Sequence, residues 1–397
     1  MKQDAPKDME KSPGRNEPAR QITFNHPTLV GQELEYLNNV LAGTHLSGNG
    51  MFTKRCQALL EEMLPPGRAL LAHSCTGALE MAAMLVGLGP GDEVIMPSFT
   101  FAGTANAVVL RGARPVFVDI RPDTLNIDES LLAQALTDRT KAISVVHYAG
   151  VGCEMDPIIE FARGRNLMVV EDAAQALCAN YRGRPLGTFG QFGAISFHET
   201  KNIISGEGGA LIVNEPSFVE RAEIIWEKGT NRSQFWRGEI DKYTWVDFGS
   251  SYLPSEIIAA FLFAQLEKSR ALTDRRLRLW RRYQEAFASL DDRGQLRGPR
   301  IPSHCEHNGH IFYVLAPTAA LRKEWLNVLW REGVHGVIHY VPLHSSPAGR
   351  KFCRVNGELS VTDNIASRLI RLPLHVALNT DEQDQVISAI TDLANAG

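Results

Sequence analysis

The sequence predicts an α/β fold, with a large domain built on a mostly parallel sheet and a smaller α+β C-terminal domain. Three observations predict it. Between Ala69 and Val213, short continuous apolar runs alternate with stretches of helical period, the pattern of strands covered on both faces. Two of these runs end in a carboxylate (Asp172) and near a lysine (Lys201), and the carboxyl ends of parallel strands are where such folds bind ligands. The chain has 397 residues, more than one ordinary core accommodates.

The elements follow in order. Residues 1–21 are polar, charged and proline-bearing, and are expected to form a flexible tail. Leu34, Leu37, Val40 and Leu41 recur at helical spacing up to Gly43. Strands are expected at 69–73, 93–96, 115–119, 142–147 and 167–172. Helices are expected between them, over 78–85, 102–110, 131–136 and 158–163. A strand ending at Ser196 and another at 210–213 follow, then a helix from Phe218 to Glu227. Residues 228–249 show little periodicity and form a loop long enough to imply function or an interface. A single spine helix is expected over 254–290. Beyond it come a strand at 311–315, a helix at 322–331, a strand at 334–339 and helices at 362–371 and 381–394. The expected division is a large domain over 22–265 and a spine helix with a small domain over 266–397.

Composition narrows the function classes. The formal net charge is -4, which disfavours nucleic acid as the main partner. The basic run at 275–282 reads as the solvated face of a helix. Six cysteines are scattered without a CxxC pair, so neither a zinc site nor a disulfide scaffold is expected, and a reducing cytoplasm suits free thiols. No run reaches the roughly 18 apolar residues that a membrane span requires, and no apolar leader is recognisable at the N-terminus.

The chemistry concentrates between Val169 and Gly209. A lysine is ordinarily a solvated surface charge. Lys201 instead follows an apolar strand and precedes the turn Gly206-Glu207-Gly208-Gly209, so it points at the strand rim. A partly desolvated lysine is a usable amine nucleophile toward a carbonyl. Asp172 ends a buried strand, where a carboxylate is costly unless paired; a helix N-cap is the ordinary alternative. An acid and a lysine at one rim suit pyridoxal phosphate, the lysine holding its aldehyde and the acid its ring nitrogen. Ala173 and Ala174 leave room for a flat ring, and Gln175 is placed to donate to its phenolic oxygen.

Ser74-Cys75-Thr76-Gly77 turns from strand into helix and exposes N–H groups suited to a phosphate, with Ser196 adding a hydroxyl. Phe101 is a stacking aromatic or a core residue. Asn231 reads locally as a turn asparagine. His339, Tyr340 and His344 lie at the end of the expected 334–339 strand and beyond it. A metal site needs a third ligand spaced with those histidines, and none is present; a wall of the substrate pocket is the better expectation. Arg232 is a further substrate-binding candidate.

Assembled, Pro97-Ser98-Phe99-Thr100-Phe101, Glu171-Asp172-Ala173-Ala174-Gln175, Ser196-Phe197-His198-Glu199-Thr200-Lys201-Asn202 and Gly206-Glu207-Gly208-Gly209 resemble the DegT/DnrJ/EryC1/StrS family of nucleotide-sugar aminotransferases. That resemblance implies a fold-type I pyridoxal phosphate enzyme. It implies Lys201 as the catalytic lysine, Asp172 and Gln175 against the ring, and Thr76, Gly77 and Ser196 at the phosphate. Phe101 would stack on the ring, and Asn231 would reach the phosphate of the neighbouring subunit, which makes a homodimer with shared sites. Glu227-Lys228-Gly229-Thr230-Asn231-Arg232 and Asp241-Lys242-Tyr243-Thr244-Trp245 point within the family toward dTDP-4-amino-4,6-dideoxygalactose transaminases. L-glutamate would be the donor and a nucleotide-linked keto-sugar the acceptor. Another keto-sugar, a sugar dehydratase of the same fold, or a non-catalytic cofactor-binding protein are the alternatives; the lysine at 201 counts against the last two.

Overall fold

The computed structural model describes residues 21–396; the tail expected over residues 1–21 lies, but for Gln21, outside the described residues. The main sheet has eight strands: β1 (Arg68–Ala72), β2 (Glu93–Pro97), β3 (Arg114–Val118), β4 (Thr140–Val146), β5 (Met168–Asp172), β6 (Phe192–Ser196), β7 (Gly209–Val213) and β8 (Arg354–Val355). Their order is β1-β7-β6-β5-β4-β2-β3-β8. Only β7 runs against its neighbours in this sheet.

The near-continuous apolar runs have a direct structural cause. Side chains alternate across a strand, and here both faces are covered. Leu71, Ile95, Ile143, Val169 and Ile195 join a core shared with the helices Glu33–Ala42, Met51–Met63 and Glu256–Glu267. Leu70, Val94, Ala142, Val170 and Ala194 join the opposite core, under Cys75–Leu85 and Val219–Trp226. A third core, centred on Trp280, Tyr283, Phe312, Trp325 and Ile390, belongs mainly to the C-terminal part.

Several expectations are corrected. The single helix over 254–290 is two, Glu256–Glu267 and Ser269–Asp292, separated at Lys268 with φ -107° and ψ 6°. Ser255 caps the first through its side chain. The strand over 334–339 is absent as a ladder: Val334 bridges Ile22 and Val337 bridges Arg371, with no continuous pairing. Gly336 interrupts it, packed so closely that a Cβ there would lie 3.1 Å from Ile370. The helix expected over 362–371 ends at Arg368, and Leu369–Arg371 pairs instead with Tyr313–Leu315. Tertiary pairing there overrides the helical period. The loop over 228–249 contains a short helix, Arg232–Trp236.

Candidate active site

β5 and β6 are hydrogen-bonded neighbours in parallel, with Asp172 opposite Ala194. This register brings the end of the carboxylate strand beside the strand that leads to Lys201. Asp172 is 5% exposed. Thr104 donates through Oγ1 to its Oδ2 (2.6 Å), and the Ala174 amide donates to Oδ1 (3.2 Å). Thr100 in turn pairs with the Thr104 hydroxyl at 2.9 Å. The carboxylate is therefore oriented, with lone-pair capacity left for a further donor.

Lys201 keeps part of its surface open, yet protein surrounds it densely. Burial pushes its amine below the usual lysine range. Cys75 and Asp172 oppose that shift, and the Arg371 guanidinium adds to it. A shift in this direction enriches the neutral, nucleophilic amine.

One residue beneath Asp172, Glu171 is fully enclosed. It accepts from the Gly187, Phe189 and Gly190 amides at 2.6–2.8 Å, and from His147 Nε2 at 2.9 Å. His147 Nδ1 accepts from the Cys153 amide, so its proton sits on Nε2. This network anchors β5 to the loop leading into β6.

The phosphate candidates occupy a narrow turn. Ser74 caps the helix Cys75–Leu85 by accepting from the Gly77 amide (3.0 Å). The other first-turn amides point out of the helix N-terminus, as helix geometry requires. A Cβ at Gly209 would stand 2.3 Å from the Cys75 nitrogen, and one at Gly77 3.0 Å from His73. Gly209 is thus needed for backbone approach, and Gly77 for packing against the His73 and Tyr252 rings. A Cβ on Gly103 would meet the Thr76 hydroxyl at 2.9 Å, so the helix Ala102–Val109 abuts the same turn. Ser196 is buried and accepts from the His198 amide at 3.4 Å. Phe101, at the N-cap of Ala102–Val109, is 63% exposed.

The C-terminal part closes the other side. Gln175 accepts from the Ala149 amide (2.7 Å) and donates to the Tyr340 hydroxyl (2.9 Å). The Tyr148 hydroxyl pairs with His339 Nδ1 at 3.2 Å. Burial holds His339 and His310 well below the usual histidine range. His344 is engaged elsewhere, with Ser98 at 2.8 Å and Asp363 at 3.3 Å. Asn231 and Arg232 stand apart from this cluster. Asn231 accepts from the Thr244 amide at 2.8 Å. Arg232 lines a separate groove of about 1140 Å³ with Trp236, Arg237, Lys54, His45 and Met51.

Three site residues escaped the sequence reading. Thr104 and Tyr148 carry no local signal. Arg371 does: it is a charged residue inside the apolar run Leu369-Ile370-Arg371-Leu372, and it is buried.

The donor set fits pyridoxal phosphate. A buried carboxylate with spare capacity, a desolvated lysine and a glycine-opened helix N-terminus are the three attachments that the group requires. Asp172, Lys201 and the 74–77 turn would hold it. Among the described residues, no cluster of His, Cys, Asp or Glu could hold a metal ion.

GDP-perosamine synthase of Caulobacter vibrioides is 31% identical over 93% of this chain and 97% of its own. The dTDP-4-dehydro-2,3,6-trideoxy-D-glucose 4-aminotransferase of Saccharopolyspora spinosa is 30% identical, covering 91% of this chain and 94% of its own. The solved structure of Spr1654 from Streptococcus pneumoniae in its pyridoxal phosphate form aligns with TM-score 0.86 at 25% identity, over 95% of this chain and 99% of that one. The sequence profile of the DegT/DnrJ/EryC1/StrS aminotransferase family matches residues 27–391, and the chain belongs to this family of pyridoxal phosphate-dependent aminotransferases.

Proposed function

We propose that the protein transfers the amino group of L-glutamate to the keto carbon of a nucleotide-linked 6-deoxy sugar. The specific reading is dTDP-4-keto-6-deoxy-D-glucose converted to dTDP-4-amino-4,6-dideoxy-D-galactose. The observation that carries the reaction type is the desolvated Lys201 beside the oriented Asp172 carboxylate. Relatives whose names specify GDP- and dTDP-linked sugars support the substrate class.

When bound, pyridoxal phosphate supplies an electron sink for the carbon losing or gaining the amine. Asp172, fixed by Thr104, would hold a positive charge at the ring nitrogen. The Lys201 amine, whose neutral form burial favours, would carry a proton between the substrate carbon and the cofactor carbon. Gln175 and Tyr340 would meet the ring's edge, and Phe101 would stack on its face. Buried Tyr148 and half-buried Tyr340 and His339 would restrict water at this wall.

Asn231 and Arg232 fit a site completed by a second copy. They lie outside the Lys201 cluster of their own chain, on a surface with exposed Trp236, Trp245 and Met51. We read this surface as a homodimer interface that carries Asn231 to the neighbour's phosphate turn. We read a large domain over 22–265 and a smaller one over 266–397, with exchanges across that boundary: Ile22 packs in the smaller core, Leu272 and Cys305 in the larger, and Arg354–Val355 joins the main sheet. Among the described residues no helix is long and apolar enough to cross a membrane, which is compatible with a cytoplasmic enzyme.

The test is incubation of purified holoenzyme with glutamate and a panel of dTDP-, GDP- and UDP-linked keto-sugars, read by mass. Amination of the dTDP-4-keto-6-deoxy sugar is expected. Dehydration without amination would transfer the reading to a dehydratase of the same fold.

A further inference from the structure

We propose that Thr100 and Thr104 form a hydroxyl relay that sets the Asp172 carboxylate for the ring nitrogen of pyridoxal phosphate, which makes Thr104 a positioning residue for the cofactor. Thr104 lies in the first turn of the helix Ala102–Val109, and Thr100 just ahead of its N-cap. Both are buried. Thr104 Oγ1 stands 2.6 Å from Asp172 Oδ2 and 2.9 Å from Thr100 Oγ1. A hydroxyl carries a single proton, and an ionised carboxylate only accepts. The Thr104 proton therefore goes to Asp172, and Thr100 must donate to Thr104. The relay has one direction, and each bond strengthens the next by polarisation.

Other buried carboxylates show what purely structural anchoring looks like. Glu256 takes the Gly50, Phe52 and Thr53 amides and the Thr53 hydroxyl. Asp119 takes the Ile120, Val361 and Thr362 amides and the Thr362 hydroxyl. Each has four donors, as Glu171 does. Asp172 has two, the Thr104 hydroxyl and the Ala174 amide, and the amide is the longer contact at 3.2 Å. Among the described residues it forms no ion pair. A buried carboxylate with so few donors is costly, and a protonated ring nitrogen completes its set.

The hydroxyl of Thr104 is also diverted from its usual partner. A threonine inside a helix ordinarily bonds back to the carbonyl four residues earlier. Thr104 instead donates to the end of β5. Its contact is the shorter of the two that fix the carboxylate, so it sets the plane in which Asp172 meets a further donor. The helix that carries it also abuts the phosphate turn, through Gly103 against Thr76, and holds Phe101 at its N-cap. Ring nitrogen, ring face and phosphate would thus all be referred to one rigid element.

The inference rests on pyridoxal phosphate meeting Asp172 and not on the sugar acceptor, so its test uses the cofactor alone. The parent, T104V, T104S, T100V and the double variant T100V/T104V are stripped of cofactor and titrated with pyridoxal phosphate by fluorescence. The absorbance of the bound cofactor is then followed against pH. T104V should bind about 3- to 10-fold more weakly, the size of one lost hydrogen bond. Less positive charge is then held at the ring nitrogen, so the conjugated system gives up its proton less readily. The pH midpoint of the absorbance should rise by ~0.5 unit or more. T104S keeps the hydroxyl and should match the parent within about twofold. T100V should move both readings the same way, by less. T104V leaves the Thr100 hydroxyl unpaired and should melt lower; the double variant removes both partners and should regain the melting temperature while keeping the T104V cofactor defect. Parental affinity and midpoint in T104V, a T104S defect as large as that of T104V, or parental binding in the double variant would each overturn the assignment. A T100V indistinguishable from the parent would overturn the relay. A protein that shows these shifts and aminates no sugar would sink the acceptor reading and leave this one standing.

Discussion

Replacing Glu171 with Gln tests how the catalytic strand is held. The wild-type carboxylate takes four donors: His147 Nε2 and three backbone amides. Gln offers one oxygen and one NH2, so one side of the side chain must point a donor at donors. If the NH2 replaces Oε1, it opposes the Phe189 and Gly190 amides. If it replaces Oε2, His147 must move its proton to Nδ1, where it meets the Cys153 amide, and the Gly187 amide still loses its acceptor. Either way two buried donors go unpaired, at ~1–3 kcal/mol each. The expected destabilisation is about 3–5 kcal/mol, in the range for breaking buried charged networks. With an unfolding entropy of roughly 2.1 cal/mol/K per residue over 397 residues, that is a fall of about 4–6 °C in melting temperature. Differential scanning calorimetry reads it. Because Glu171 lies beneath Asp172 and away from the cavity, saturating kcat at 20 °C should change less than threefold. A melting temperature within 1 °C of the parent would refute the view that the network anchors β5.

Lys201→Ala should abolish transamination, by at least about 10³-fold. It should also remove the borohydride-trapped cofactor from the peptide carrying residue 201, as read by mass spectrometry. Asp172→Asn keeps the Thr104 contact but not the charge; cofactor affinity should fall about tenfold or more by fluorescence titration, and retained parental affinity would argue against a ring-nitrogen contact. His310 and His339 are held neutral by burial, so the unfolded chain binds more protons below pH 6.5. Their stabilisation is present above that pH and is lost as pH falls. From pH 6.5 to 5 the melting temperature should therefore fall, and His339→Gln should make that fall shallower.

The sheet was legible because both of its faces are covered, leaving Val169-Val170 and Ala194-Ile195 as uninterrupted apolar runs. Asp172 and Lys201 were legible because chemistry at a strand end breaks such a run. Strand direction was not, since β7 reads like its parallel neighbours and only pairing reveals that it runs against them. The break at Lys268 was hidden because Lys continues a helical pattern without penalty. Leu369–Arg371 read as helix because its period continues that of Ser360–Arg368, and the Tyr313–Leu315 partner is far away in sequence. Thr104 was silent for a related reason. Its role depends on a helix laid beside Asp172, which no local pattern encodes. Arg371 was visible as a charge in an apolar run, but a single such charge does not name its role.

β8 has a consequence for how the chain is made. It contributes two residues, Arg354 and Val355, along β3, and Arg354 also reaches Glu93 and the Ala135 carbonyl. During synthesis the β3 side of the sheet therefore stays unpaired until most of the chain has emerged. An open edge is a template for another chain, and late, distant pairing prolongs that exposure. A product truncated before residue 350 should have its catalytic strands in sequence and yet aggregate through β3. The last eighth or so of the chain thus acts as a built-in cover for a sheet otherwise formed from the first 213 residues.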